Sequence, residues 1–308
     1  MITAVVLAGY AVLVGAAVPP LLSRASWTHR APALAVLAWQ GLMATFVVAG
    51  VLAVYHAALG ERHAHEGLAG LITVCGLLVD VVDVADFSVG GAAPAPADAL
   101  ALVAPALIVF LPLGRLVRCA WRADRARRRH LDMLTLVGRP APEYDATVLD
   151  HDVPVVYCLP GRRRRVVVTQ GALDALSEEQ LRAVLEHERA HVRGRHHLLH
   201  LWVDAFSRAF PGLPLARHAK EQTVLLVEMI ADDRALRLHP REALAAAMYE
   251  VAAGRVPRVA LGAGGAGALI RLRRVLSPQP RPHRATWLGV AAASVAAPLL
   301  PLLVACLH

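Results

Sequence analysis

Lysine is almost missing from this chain: Lys220 is the only one among 308 residues, so the net charge of +8 is carried by arginine. Aromatic residues make up only 5%. The 56% apolar content is therefore mostly Ala, Val and Leu, above the roughly 45–50% of water-soluble domains and suited to helices that cross lipid. The four cysteines, Cys75, Cys119, Cys158 and Cys306, include no C-x-x-C spacing, which argues against a disulfide framework or a thiolate metal site. There is no phosphate-cradling glycine loop, no nucleic-acid module and no internal repeat. Basic charge beside apolar runs then marks cytoplasmic flanks rather than a nucleic-acid surface, and no nucleic-acid partner is expected.

Acids are also absent from four long apolar runs, 2–22, 32–59, 99–116 and 285–307. Each reaches the length of about 20 residues that a helix needs to cross a bilayer. No basic residue precedes the first run, which disfavours a cleaved signal peptide. Between the first two runs lie Arg24, His29 and Arg30, whereas the loop between the second and third is acidic, with Glu61, Glu66, Asp80, Asp83, Asp86 and Asp98. Arginines crowd the segment after the third run and the segment before the fourth, where Arg271, Arg273, Arg274, Arg281 and Arg284 stand. Basic flanks stay in the cytoplasm. The expectation is a multi-pass cell-membrane protein whose amino terminus and His308 face outside while 118–284 faces inside. The apolar stretch Gly67–Val79 is short for a span and fits an interfacial or re-entrant helix better.

The organisation expected is a membrane region over 1–119, a cytoplasmic domain over 120–284 and a last span over 285–308. In the middle segment, 146–149, 153–159 and 164–169 are short β-branched runs broken by Asp, Pro and Gly, as strands and turns are. Ser177, with Gln180 three residues on, predicts a helix start by a capping box, and that helix is expected to continue past His191 towards His200. A further helix is expected over about 218–238, stopped by Pro240. The Gly/Ala-rich stretch 261–268 reads as a flexible link, and the arginine run 162–165 as a solvated turn.

His187-Glu188-Arg189-Ala190-His191 is an H-E-x-x-H sequence. Residues four apart share a helix face, so the two imidazoles can hold one Zn²⁺. Glu188, one step round, is placed to act as general base on water and then acid to the leaving amine. A surface helix with scattered His and Glu is the plain alternative, but Leu181, Val184, Leu185 and Val192 mark the helix as buried, where idle titratable groups are costly. About forty residues on, Glu228 and Asp232 form an E-x-x-x-D pair among Leu225, Leu226, Val227, Met229 and Ile230. This suits a third metal ligand followed by an acid that orients a ligand imidazole. Glu221 and Asp233 are the rivals for those two places. His196 is expected near the cleft mouth, where it can steady a transition-state oxyanion.

Pro160-Gly161, Val166 to Thr169 with Gly171, Leu176-Ser177, His187 to His191, His196, and Glu228 with Asp232 together resemble the integral-membrane metallopeptidases of the BlaR/MecR type. A more distant similarity runs to the HtpX and CAAX prenyl protease group. The resemblance implies an α+β zinc metalloprotease domain of gluzincin type integrated with about four transmembrane helices. In the β-lactam sensors of that type a penicillin-binding domain follows the last span. Here no such segment follows and no Ser-x-x-Lys motif is present, so the resemblance implies proteolysis and not β-lactam sensing. The function expected is zinc-dependent cleavage of a cytosolic or membrane-proximal protein, such as a transcriptional repressor, with the substrate extended along the 164–169 strand. The alternative is a membrane scaffold that keeps a decayed protease fold.

Overall fold

The computed structural model describes residues 1–59, 96–161, 165–254, 263–277, 280 and 283–306. The segments 67–79 and 162–164, for which the sequence raised expectations, lie outside the described residues. Near the amino terminus α1 (Ile2–Val12), a π-helical turn (Leu13–Ala17) and α2 (Val18–Arg24) form one apolar rod. A short α3 (Trp27–Arg30) reverses the chain into α4 (Pro32–Leu59). The next described helix, α5 (Pro96–Val137), runs for 42 residues. At 1.5 Å per residue that is roughly twice the length a bilayer requires. Its apolar first half therefore gives way, from Arg118 on, to a basic second half that leads straight into the sheet, and position 119/120 falls inside it.

Four strands follow: β1 (Arg139–Ala141), β2 (Ala146–Leu149), β3 (Val156–Leu159) and β4 (Arg165–Thr169), in the order β1-β2-β4-β3. The sequence predicted three of these; β1 contains a proline and is too short to show a period. β3 begins later than expected because Thr169 captures the preceding backbone. Its Oγ1 donates to the Val153 carbonyl at 2.7 Å and accepts from the Val155 amide at 2.9 Å. One expectation is overturned here. β4 pairs with β2 on one side and β3 on the other, so no substrate strand can add beside β4; β1 and β3 are the outer strands.

After α6 (Gln170–Ala175) come α7 (Glu178–Arg193), α8 (His196–Ala209) and α9 (Pro214–Ala235). The capping box at Ser177 is formed as expected: Gln180 Oε1 accepts from the Ser177 amide at 2.8 Å, and Ser177 Oγ accepts from the Gln180 amide at 3.3 Å. Then α10 (Arg241–Gly254) and α11 (Ala263–Leu276) pack on each other. Much of the stretch read as a flexible link is thus helix. The last apolar run is broken into α12 (Arg284–Ala296) and α13 (Leu299–Cys306), bent by 47° next to Pro298, which lacks the amide a straight helix needs. Among the described residues three helices are long and apolar enough to cross a membrane, or four if the bent pair is one span. These helices suit a membrane protein.

Two cores hold these parts. Leu181 and Leu185 of α7 pack on the sheet against Val156, Val166, Val168 and Ala172. The larger cluster joins Trp39 and Met43 of α4 to Val203 and Phe206 of α8 and to Leu215, Ala219, Leu226 and Met229 of α9. It therefore mixes side chains from both sides of position 119/120. The single lysine serves this assembly, since Lys220 Nζ lies 2.6 Å from Asp204 Oδ1 and ties α9 to α8. α12 lies along α4 where Gly41 faces the Ser294 carbonyl so closely that a Cβ would stand 2.4 Å from that oxygen.

Candidate active site

The capping box fixes where α7 starts, and so which face of it His187 and His191 share. The helix was expected to continue to His200 but stops at Gly194, and Arg195 turns the chain with φ 50°. Gly194 allows the reversal: a Cβ there would lie 2.4 Å from His196 Nε2. The chain folds back so that His196 Nδ1 stands 3.0 Å from His191 Nδ1. His196 is buried, with its ring edge-on to that of His191. Its lowered pKa follows from that burial, with His200 adding to the effect.

The other faces of the two rings meet. His187 Nε2 and His191 Nε2 are 3.1 Å apart. Glu228, from α9, presents Oε2 3.5 Å from His187 Nε2 and Oε1 3.3 Å from His191 Nε2. Ligands at about 2.0–2.1 Å from a tetrahedral zinc stand roughly 3.3 Å from one another. The two imidazole nitrogens match that spacing, each has one of the two Glu228 oxygens within 3.5 Å, and one donor atom from each of the three residues lies within 4.8 Å of the others, so the donor set fits the metal that the sequence calls for. Asp232, one turn after Glu228 and buried, reaches His187 from behind, with Oδ1 3.0 Å from Nδ1. This is a close charge contact and not a well-aligned hydrogen bond. Glu221, the rival ligand, is largely exposed and near His218. Asp233, the rival orienting acid, is held by Arg274.

Arg271 was missed as a site residue. Read from sequence as one of several charges flanking a span, it instead forks onto Asp232, with Nε to Oδ2 at 2.9 Å and Nη2 to Oδ1 at 2.8 Å. Its Nη1 donates to Glu228 Oε2 at 2.7 Å. The usable signal was the spacing in α11: Leu272 and Val275 turn one face to the core, while Arg271 and Arg274, three apart, meet the neighbouring acids Asp232 and Asp233.

Charges within this cluster balance. Burial by itself would lower the His187 pKa, but the Asp232 and Glu228 carboxylates outweigh it and raise the value to about 9. Burial also opposes ionisation of the two acids. Against it, His187 and Arg271 hold Glu228 at about 2, and Arg271 and His187 hold Asp232 at about 2. His191 falls to about 4, chiefly through burial. Without metal, the cations His187 and Arg271 thus face the anions Glu228 and Asp232 at neutral pH. Glu188 stands outside this exchange: burial raises its pKa, with His187 opposing and Glu228 adding to the rise. Cys158 of β3 lies beside it. Burial first, and then the Glu188 charge, pushes that thiol up to about 12, so it is no nucleophile at neutral pH.

An H-E-x-x-H helix on a small sheet, meeting a Glu from a second helix, defines the class of metal-dependent peptidases. Residues 120–224 match the model of peptidase family M48, which indicates a metallopeptidase, a hydrolase. The matched segment contains β1 to β4 and the whole of α7, and ends within α9, four residues before Glu228. No curated protein and no solved structure matches the chain.

Proposed function

We propose that this chain is a membrane-embedded zinc endopeptidase of gluzincin type, with His187, His191 and Glu228 as the metal ligands and Glu188 as the general base. The observation that carries the reading is the convergence of His187 Nε2 and His191 Nε2, 3.1 Å apart, on the Glu228 carboxylate, whose Oε2 and Oε1 lie 3.5 and 3.3 Å from them respectively. Zinc held there supplies Lewis acidity towards the peptide carbonyl and the attacking water. Everything else falls to the chain. Asp232 holds the tautomer and orientation of His187, as acids behind metal-binding imidazoles do. Arg271 donates to Oε2 of Glu228 and so fixes the carboxylate beside the two imidazoles. The Glu188 carboxylate, its proton affinity raised by burial, takes a proton from the attacking water and returns it to the leaving amine.

A protein substrate lies extended along β3, an outer strand, whose Cys158 sits against Glu188. Strand addition there aligns the scissile bond by backbone hydrogen bonds. The finer expectations stand on the same reading: a BlaR/MecR-like protease acting in the cytoplasm or at the membrane surface, with a repressor as one substrate class. The arginine-rich ends of the spans support that orientation. The test is Glu188→Gln in the full chain. Zinc content should persist while cleavage of a co-expressed partner, or of the chain itself, falls by about a hundredfold or more. Undiminished cleavage by the zinc-loaded variant would rule out Glu188 as the base.

A further inference from the structure

A cavity of about 790 Å³ lies on the side of α7 and α9 marked by Gly194 and Asp233, and His196 forms part of its wall. Seven of its 18 lining residues are arginines, and Asp233 is its one acid. Arg274 is neutralised by Asp233 and Arg193 by Glu186, while Arg241 donates to the Val275 carbonyl. Among the described residues no acid pairs with Arg30, Arg234, Arg237 or Arg284. The first turns of α4, α10 and α12 also border the cavity, through 31–34, Arg241 and Arg284. Helix amino ends carry unpaired amides and a partial positive charge. The carboxyl ends of α7 and α9 reach it too and offset part of this, but they are two helix ends against four guanidinium groups that no acid among the described residues pairs.

The position of the cavity selects among anions. α4 and α12 both start there and run side by side as apolar helices. Trp287, one turn beyond Arg284, is half exposed, as tryptophans at a membrane interface are. Leu37 of α4 and Leu288 of α12, one turn and one residue beyond the cavity's Leu34 and Trp287, are exposed, so exposed apolar side chains begin beside the charged mouth. We propose that this cavity binds the phosphate headgroup of an anionic membrane phospholipid, with its acyl chains lying along α4 and α12. A soluble phosphate shares the headgroup chemistry but has no use for the apolar track.

The test uses the full-length chain in neutral detergent, with lipid retention read by native mass spectrometry. Phosphatidylglycerol should be retained at about one per chain and phosphatidylcholine should not. The triple variant Arg30→Gln/Arg237→Gln/Arg284→Gln should bind phosphatidylglycerol roughly a hundredfold more weakly, at about fivefold for each arginine lost. Removing three exposed charges elsewhere, by Arg122→Gln/Arg125→Gln/Arg129→Gln on α5, should change little. If the first triple variant unfolds, Arg237→Gln and Arg284→Gln alone should each show the fivefold loss. Equal losses in both triple variants, or equal retention of the two lipids, would overturn the proposal. Displacement of the lipid by an equimolar amount of inorganic phosphate would overturn it in favour of a soluble-anion site.

Discussion

The two helices that make the site are held in different ways. α7, with both histidines, starts at its own capping box and rests on the sheet through Leu181 and Leu185. α9, with Glu228 and Asp232, begins without a side-chain cap and rests on the apolar helices through Leu215, Ala219, Leu226 and Met229. The candidate donor set is therefore assembled across a seam between a sheet-borne helix and one borne by the apolar helices, and the place of Glu228 against the histidines depends on how the apolar helices are packed.

The largest effect should come from removing the span-side ligand. Glu228→Gln should weaken zinc binding by more than about a hundredfold, beyond the range for partners behind a ligand, and Glu221→Gln should leave zinc content unchanged by metal analysis. The reverse result would move the third ligand to Glu221. A truncation that touches no ligand tests the seam itself. Trp39 is fully buried in α4 against this core, so Trp39→Ala should destabilise by about 3–5 kcal/mol and also loosen zinc. Leu185→Ala on the sheet side should destabilise by about 2–5 kcal/mol. Thermal unfolding with and without zinc measures both. Zinc dependence that is unaltered in Trp39→Ala would mean that α9 keeps its place without the spans.

Asp232→Ala comes next, and should cost about ten- to a hundredfold in zinc affinity. It also leaves Arg271 with Glu228 alone, so Asp232→Asn, which keeps the shape, should recover part of the loss. Within one pH unit of neutrality the smallest effect is that of pH. His187 is raised to about 9 in the metal-free fold, and zinc takes the neutral ring, so binding releases about one proton at neutral pH. Affinity should rise about tenfold per pH unit up to about 9 and then level off, as calorimetry in buffers of different ionisation heat would show. The metal-free fold should run the other way. A raised His187 stabilises it fully below its unfolded value of about 6.5, and this is lost as pH rises through 9. The lowered Asp232 stabilises above about 4, lost as pH falls towards 2.

Much of this was legible before any coordinates. The capping box placed the start of α7, the i,i+4 spacing placed the two imidazoles together, and three of the four strands showed in their β-branched runs. These are local rules, set by a few neighbouring residues. The misses have physical causes as well. α7 ends at Gly194 because His196 must fold over it, a contact made by tertiary packing. The 261–268 stretch is poor in polar signals, so the start of the helix that carries Arg271 looked like a link to a span. β4 looked available for substrate because strand order does not appear in a sequence. It is β1 and β3 that stand at the edges.

The sequence by itself determined the identity of the metal donors' residue types, the apolar helices and the basic flanks, since composition and helical period act within a few turns of chain. Only the tertiary structure decided that Glu228 rather than Glu221 joins the histidines, that Arg271 balances the acids behind them, and that α9 shares its core with the apolar helices while α7 rests on the sheet. Those outcomes depend on side chains as much as 43 residues apart within the site and nearly 200 apart in the core. Which of many charged and apolar residues meet over such separations is set by packing all the helices at once, and no local pattern encodes it.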